Sequence, residues 1–488
     1  MRKQPQLLKI ITDAEVDRIH ETSLSILEEV GVQFPNQQVL DLFEAAGALV
    51  DFDSQVVKIP AILVEKALAT LPKDFSTVPP DGGPPIHLGD GNLKLSMDCT
   101  DRIIDPRRNV IYRGTQEDVL RGIVVANALD NVRLATGYCL PREVPQSAGD
   151  VIGYQLLYTY SRKPVATWIY STRSAEHIIE MAKVVAGGAE ELKQKKLLTY
   201  FAEPISPLHY APHTLEIMIR MAEYECPIYL GPMVMAGGSG PVTLAGALTM
   251  QNAELLHGLT LVYLLNPRQP VVYACLAHPL DMKRGTILFG APEQTLLACA
   301  ASQVARKYGL VVSGNVMLTD SNTPDYQAGF EQGAAAAYAL AAGWEMLGLI
   351  GYSSLGELGA GAGTSLEVTI IEDEALSYFK RMLASFEVND DTLALDVIKE
   401  VGIGGNFLAE SHTVRHMRDQ LWQPGGIFAR GDYQAWADAG AKSTLDRAAA
   451  RLDEILRDYP PEPILEPSQA GLLKEIRDQA EQEARTRE

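Results

Sequence analysis

The stretch PVVYACLAHPLDMKRGTILFGAPEQTLLACAASQVARKYGLVVSGNVM, residues 270–317, decides the fold. PVVYACLA is a short apolar run rich in β-branched residues. PEQTLLACAASQVARKYG carries helical patterning closed by a glycine, and LVVSGNVM is a second apolar run. Strand, helix, strand in that order predicts two parallel neighbours joined by a crossover, because parallel strands need a long connection between them.

The same unit repeats in both directions. Upstream, VRLATGY precedes GDVIGYQLLYTYS, PVATWIY precedes SAEHIIEMAKVVA, LLTYFAE precedes APHTLEIMIRMAEYE, and PIYLGPM precedes TLAGALTMQNAELLHGLTLVYLL. Downstream, LVVSGNVM leads to YQAGFEQGAAAAYALAAG and MLGLIGYSS to SLEVTIIEDEALSYFKRML. A last short strand near NFL, residues 406–408, leads to SHTVRHMRDQLW. Eight β-then-α units predict an α/β fold of the (β/α)8 TIM barrel type.

Around this barrel, residues 91–425, the sequence predicts a mostly helical N-terminal extension over 1–90 and a helical C-terminal tail over 426–488 packed on the barrel. In the extension, DAEVDRIHETSLSILEEVGV reads as an amphipathic helix ended by Gly31, and QQVLDLFEAAGALV as a second closing at Gly47. VVKIP and a third helix, ILVEKALATLP, follow before the linker PPDGGPPIHLGDG. The tail supplies KSTLDRAAARLDEILRDY and then a charged end expected to be exposed.

The 488 residues are 47% hydrophobic and 21% charged, a globular composition. The formal charge of −20, from 42 basic and 62 acidic residues, repels phosphate backbones and argues against a nucleic-acid partner. No apolar run reaches membrane-spanning length, and the N-terminus lacks a signal-peptide core, so the expected location is cytoplasmic with no membrane partner. Five dispersed cysteines without a CxxC pair read as free thiols in a reducing compartment.

In barrels of this kind, chemistry sits at the carboxyl ends of the strands. There the sequence places Trp168 and Tyr170, then Tyr200, Phe201 and Glu203 followed by His209 and Tyr210, then Tyr229 with Gly231, Pro232 and Met233. Tyr273 and His278 belong to the fifth unit, Asn315 and Asp320 to the sixth, and Tyr352 and Ser353 to the seventh. Each aromatic alone is at home in a core. Together they make a candidate cage for a quaternary ammonium, held by ring faces. Glu203 and Asp320 are the candidate catalytic acids, adding negative potential, and His209, His278 and Asn315 are candidate donors to a substrate carboxylate. Asp325 is placed to cap the next helix, whose Gln327 and Glu331 share a face that could point at the mouth.

Two His-x3-His pairs, His209/His213 and His412/His416, raise the question of zinc, but neither has an HExxH glutamate or a nearby cysteine, and Pro212 interrupts the first. No metal site is expected. The glycine-rich run from Gly351 to Gly363 lacks both GxxxxGK[ST] and GxGxxG spacing, so a nucleotide cradle is not expected either. Glycine's other use is to let a bulky partner approach the backbone.

The chain resembles the trimethylamine methyltransferase superfamily along nearly its whole length. The resemblance is carried by ILEEVGV, FEAAGALVD, GPMVMAGGSGPVTLAGALTMQNAELLHG, MKRGTILFGAPE, TDSNTPDYQAGFE and GIGGNFLAESHTVRHMRDQLWQP. It implies a barrel enzyme that moves a methyl group from an amine to Co(I) of a cognate corrinoid protein, with no tightly bound cofactor of its own. Trimethylamine-specific members carry pyrrolysine. This chain shows only ordinary residues, which resembles the non-pyrrolysine branch acting on quaternary amines such as glycine betaine, proline betaine, carnitine and γ-butyrobetaine. Glycine betaine is the leading expectation, and Asn406 stands where many relatives have histidine. On this resemblance Gly231, Pro232, Met233, Gly359, Gly361 and Gly363 form the loops facing the corrinoid. The alternatives are an ammonium-binding protein without turnover and a zinc enzyme acting on a methyl thiol or alcohol. The N-terminal helices leave room for a homo-oligomer interface.

Overall fold

The computed structural model describes residues 7–91, 93–344, 346–347 and 355–487. Its centre is a set of short parallel strands. We label them β1 (Lys94–Ser96), β2 (Val132–Leu134), β3 (Tyr200–Ala202), β4 (Ile228–Leu230), β5 (Val271–Cys275), β6 (Val311–Gly314) and β7 (Met346–Leu347). One sheet runs β7-β1-β2 and the other β3-β4-β5-β6, every pair parallel. Past β2 the pairing continues as a single parallel bridge from Ala135 to Val165, at the second predicted strand. Helices fill the crossovers, from Gln116–Ala128 through Leu366–Leu383, as the alternating pattern requires.

Two predictions about order need correction. Residues 406–408 form no strand, and Phe407 and Leu408 are 44% and 85% exposed. The place beside β7 belongs instead to β1, upstream of the first predicted strand. Its Lys94 is only 4% exposed and engages Asp90 four residues earlier, so a lysine inside a buried strand hid that strand from an apolar-pattern reading. Residues 384–426 contain no buried residue, although the predicted helix Ser411–Gln420 is present.

Alternate strand residues fill the inner face. Leu134, Ala166, Tyr229, Val272, Ala274 and Val311 form one buried cluster, joined by Phe75 and Leu88 from the antiparallel pair Phe75–Thr77 and Ile86–Leu88. That pair sits at the amino ends of the strands, since Val78 N–H donates to Lys195 O and Thr77 Oγ1 to Lys196 O, just ahead of β3. The antiparallel pair therefore covers the amino end of the strands, and a cavity bordered by Leu276, Phe201 and Met233 lies at the other end.

The N-terminal helices Asp13–Glu29 and Ala61–Thr70 pack on the helix Leu244–Leu265. That explains its composition: covered by the strands on one side and this layer on the other, it is apolar on all faces. Its polar residues are used as fasteners. Gln251 Oε1 accepts from Leu276 and Ala277 N–H at 2.9 and 2.7 Å, fixing the end of β5. Glu254 accepts from Ser206 Oγ at 2.6 Å and Leu208 N–H at 2.8 Å, fixing the loop after β3. No helix among the described residues is long and apolar enough to cross a membrane.

The charged C-terminal end also departs from expectation. The helix Pro467–Arg487 lies along Thr172–Ala186 and Gly149–Tyr160 with Leu473, Ala480 and Ala484 buried. Arg173 Nε donates to Glu483 at 2.5 Å across the contact. Its apolar stripe is narrow and made partly of alanines, so charge dominates the sequence while one face still docks. Leu473→Ala is expected to cost about 2–4 kcal/mol of unfolding free energy, read from a urea transition. Leu472→Ala, at a position 47% exposed, should change it by less than about 0.5 kcal/mol.

Candidate functional site

At the carboxyl ends of the strands, among the described residues, lies a cavity of about 460 Å3. It takes Asp98, Cys99, Thr100 and Asp101 from the chain after β1, Leu140 after β2, and Trp168 and Tyr170 after the Val165 bridge. Phe201 and Glu203 come from β3, Met233 from β4, Leu276 and Phe289 after β5, Asn315 after β6, and Glu357, Ala360 and Gly361 after β7. A second cavity of about 430 Å3 adjoins it, sharing Trp168, Tyr170, Phe201, Glu203 and Met233 and adding Tyr200, Ser206 and His213.

The aromatic wall is ordered. Trp168 and Tyr170 stack at 5.6 Å and 11° between planes, while Phe201 meets Trp168 edge-on at 6.1 Å and 82°. Trp168 Nε1 donates to Cys99 O at 3.2 Å, which fixes the indole against the chain leaving β1. Tyr170 is positioned through its own N–H, which donates to the buried Asp150 carboxylate at 2.8 Å. Burial lifts the Asp150 carboxyl to about 6.

Glu203 stands at the junction of the two cavities. Burial alone lifts its carboxyl from the ordinary 4.5 to about 7. Asp98 and Glu357 are buried in the wall at 1% and 2% exposure. Cys99 also borders the cavity, but burial pushes its thiol up to about 12, so it is no thiolate nucleophile at neutral pH.

Asn315 is held from behind. His278 Nδ1 lies 3.1 Å from Leu288 O and its Nε2 lies 2.8 Å from Asn315 Nδ2. Burial lowers the imidazole to about 4, so it is neutral. A carbonyl oxygen only accepts, so Nδ1 carries the proton, Nε2 accepts, and Asn315 donates to it. Asn315 Oδ1 is buried without a hydrogen-bond partner.

The structure thus gathers Trp168, Tyr170, Phe201, Glu203, Met233, Asn315 and Gly361 around one cavity, with Tyr200 in its neighbour and His278 one layer back. It sets others elsewhere. Tyr229 lies in the interior cluster, and Tyr273 points outward, its hydroxyl donating to Asn252 Oδ1 at 3.1 Å. His209 is bridged to Gln33 of the N-terminal layer, and Pro212 opens the helix Pro212–Glu223 rather than breaking one. Asp320 accepts from Phe289 N–H at 2.8 Å, and Glu331 from Thr319 Oγ1 at 2.6 Å and from Gln327 Nε2 at 2.9 Å, so these three fasten loops. Gly231 is wedged where a Cβ would meet Phe201 and Leu276, with buried Pro232 following. Gly363 pairs with Leu358 beside the strand Arg102–Asp105, and a Cβ at Gly359 would meet Asn322. Tyr352 and Ser353 lie outside the described residues.

Asp98, Asp101 and Glu357 were not read as site residues. Their signal was present in SMDCTD and GELG, acids flanking short apolar runs, but neither run was recognised as a strand end. Away from the cavities, His412 and His416 meet Asp391, with His416 Nε2 3.0 Å from Asp391 Oδ2 and His412 Nε2 3.0 Å from Asp391 O. These three, a set the sequence alone could not assemble, could hold a metal ion.

Comparison with known proteins gives a consistent result. The family described as trimethylamine methyltransferase (MTTB) matches residues 1–484. A trimethylamine methyltransferase of Desulfitobacterium hafniense strain DCB-2 is 31% identical, covering 97% of this chain and 94% of its own. A glycine betaine methyltransferase of strain Y51 is 29% identical, covering 94% of each chain. Among solved structures, the Methanosarcina barkeri monomethylamine methyltransferase superposes with a TM-score of 0.50 at 12% identity, covering 90% of this chain and 92% of that one.

The titration of Glu203 gives a test. With its folded-state value raised, the unliganded protein is most stable with the acid protonated and loses that stability as pH rises from 4.5 through about 7. A bound cation favours the ionised form, so ammonium affinity is expected to rise over the same interval. Glu203→Gln should flatten that rise in calorimetric titrations at several pH values. A profile unchanged by the substitution assigns it to another acid, such as Asp150.

Proposed function

Because the chain belongs to the trimethylamine methyltransferase family, we propose that it removes a methyl group from a quaternary ammonium and passes it to Co(I) of a corrinoid protein. The observation that supports this reading most is the cavity itself: aromatic faces and carboxylates at the carboxyl ends of parallel strands, with no Lys, Arg or His among its described lining. We further read the two sheets as arcs of one closed (β/α)8 barrel, with the segment at Val165 as the strand between β2 and β3. Its cysteines, all free and buried, suit a reducing cytoplasm.

The chemistry is an in-line displacement at carbon. Co(I) supplies the nucleophilic electron pair, and the C–N bonding pair leaves with nitrogen. A quaternary nitrogen departs as a neutral tertiary amine, so no proton has to be delivered. What the chain's residues do is hold, aim and dry. Trp168, Tyr170 and Phe201 grip the ammonium by their faces, and orientation of one methyl toward the open mouth removes much of the entropic barrier. Since positive charge on nitrogen falls as the bond breaks, strong ion pairing would favour the ground state over the transition state. A predominantly aromatic grip limits that loss.

A second reading comes from Glu203. An acid near 7 is partly protonated at neutral pH and could protonate a departing dimethylamine, which would suit trimethylamine, the substrate for which one relative is named. The two readings separate in one assay. Purified protein is mixed with Co(I) cobalamin and a panel of amines, and methylcobalamin is followed by absorbance. Quaternary ammonium salts are expected to react and trimethylamine not to, and the reverse result would replace the first reading by the second. Trp168→Leu should lower kcat/KM by about ten- to thirty-fold, the equivalent of a desolvated cation–π contact. It should exceed the effect of Glu203→Gln.

A further inference from the structure

We propose that the ammonium accepted by this cavity carries no carboxylate, its remaining substituent being alkyl or hydroxylated. The inference deepens the methyl-transfer reading above and rests on it.

Four observations carry it. First, the larger cavity is bordered by four carboxyl groups, Asp98, Asp101, Glu203 and Glu357, and its described lining includes no cationic side chain. A betaine would bring its own carboxylate in among these acids with no cationic side chain of the lining to receive it, and like charges in a low-dielectric cleft repel.

Second, Asn315 is turned to offer an acceptor. His278, neutral and donating backwards to Leu288 O, engages Asn315 Nδ2 and leaves Oδ1 as the buried atom without a partner. An acceptor there suits a hydroxyl or the polarised methyl hydrogens of an ammonium, and it opposes a carboxylate.

Third, donors on the wall are already engaged. Trp168 Nε1 donates to Cys99 O at 3.2 Å and Thr100 Oγ1 to Arg102 O at 2.5 Å. Fourth, three of the four consecutive amides from Gly359 to Ala362 in the glycine loop are turned to backbone carbonyls, which leaves Gly361 N–H as a single donor and not a nest. Gly359 N–H donates to Ser321 O at 2.7 Å, Ala360 N–H to Thr319 O at 3.0 Å and Ala362 N–H to Leu358 O at 3.1 Å. The neutral groups left at the rim, the Tyr170 hydroxyl and the Gln146 amide, suit a hydroxyl as readily as any anion.

The test uses the full-length protein and three probes of similar size: tetramethylammonium, choline and glycine betaine. Binding is measured by calorimetry without cobalamin, and turnover separately with Co(I) cobalamin. Tetramethylammonium or choline is expected to bind at least ten times more tightly than glycine betaine. Glu203→Gln, which is nearly isosteric, should shrink that ratio several-fold by removing one of the repelling acids. Glycine betaine binding as tightly as choline, or no binding by any of the three, overturns the inference. Because binding is read independently, the stated order of affinities without methylcobalamin formation would sink the methyl-transfer reading and leave the ligand class standing.

Discussion

The inner face of the parallel strands has to be covered, and where that filling stops sets everything else. Short strands with large inward residues leave little interior volume. Phe75 and Leu88 close it at the amino end, while Tyr229, Val272 and Val311 occupy the middle. A close-packed interior tolerates few voids. The volume that remains is at the carboxyl ends, where Leu276 and Met233 give way to polar residues. The cavity is thus the unfilled top of a packed column, and its walls are whatever the strand-to-helix connections bring there.

Those connections bring one sign of charge. An acid about 5 Å from a bound ammonium at an effective dielectric near 20 contributes about 3 kcal/mol, against about 0.5–2 kcal/mol for one aromatic face. Proximity of every acid would therefore make a tight binder and a poor methyl donor. Glu203 escapes this partly through its own burial: held near 7, its charge is incomplete at neutral pH. On the proposed reading, the same desolvation that makes it costly to ionise would keep it from gripping a cation too hard. On that reading, the aromatics would supply the constant part of the hold.

Much of this was legible in sequence. The β-then-α rhythm predicted most of the helices, the parallel sense of the strands and the side of the sheet where Trp168, Phe201, Glu203 and Asn315 converge. What escaped did so for local reasons. β1 contains a lysine whose charge is answered by Asp90 at i−4, a tertiary fact with no apolar signature. The NFL segment near Gly402, Gly404 and Gly405 looked like a strand only because an eighth was needed. Asp320 and Glu331 read as acids aimed at the mouth, yet backbone and hydroxyl donors reach them first, and no spacing rule reports which N–H groups a loop will present.

The glycine run after β7 shows how backbone alone can shape such a site. Gly356, at φ +100°, places its N–H on the buried Glu372 carboxylate at 2.6 Å, and a Cβ there would collide with Thr369. That amide is therefore not free for a phosphate; it anchors the loop to the helix Leu366–Leu383. From this anchor the chain pairs Glu357–Leu358 with Gly363–Thr364 and turns between them, Gly361 at φ +83° forming part of the cavity wall. A side chain at 361 would project toward Phe289 and Glu357, where a Cβ would stand within 3.7 Å of both. Glycine here allows a left-handed turn that L-residues resist and keeps a side chain out of the cavity wall. The loop that resembles a phosphate cradle in composition is, by its hydrogen bonds, a rim.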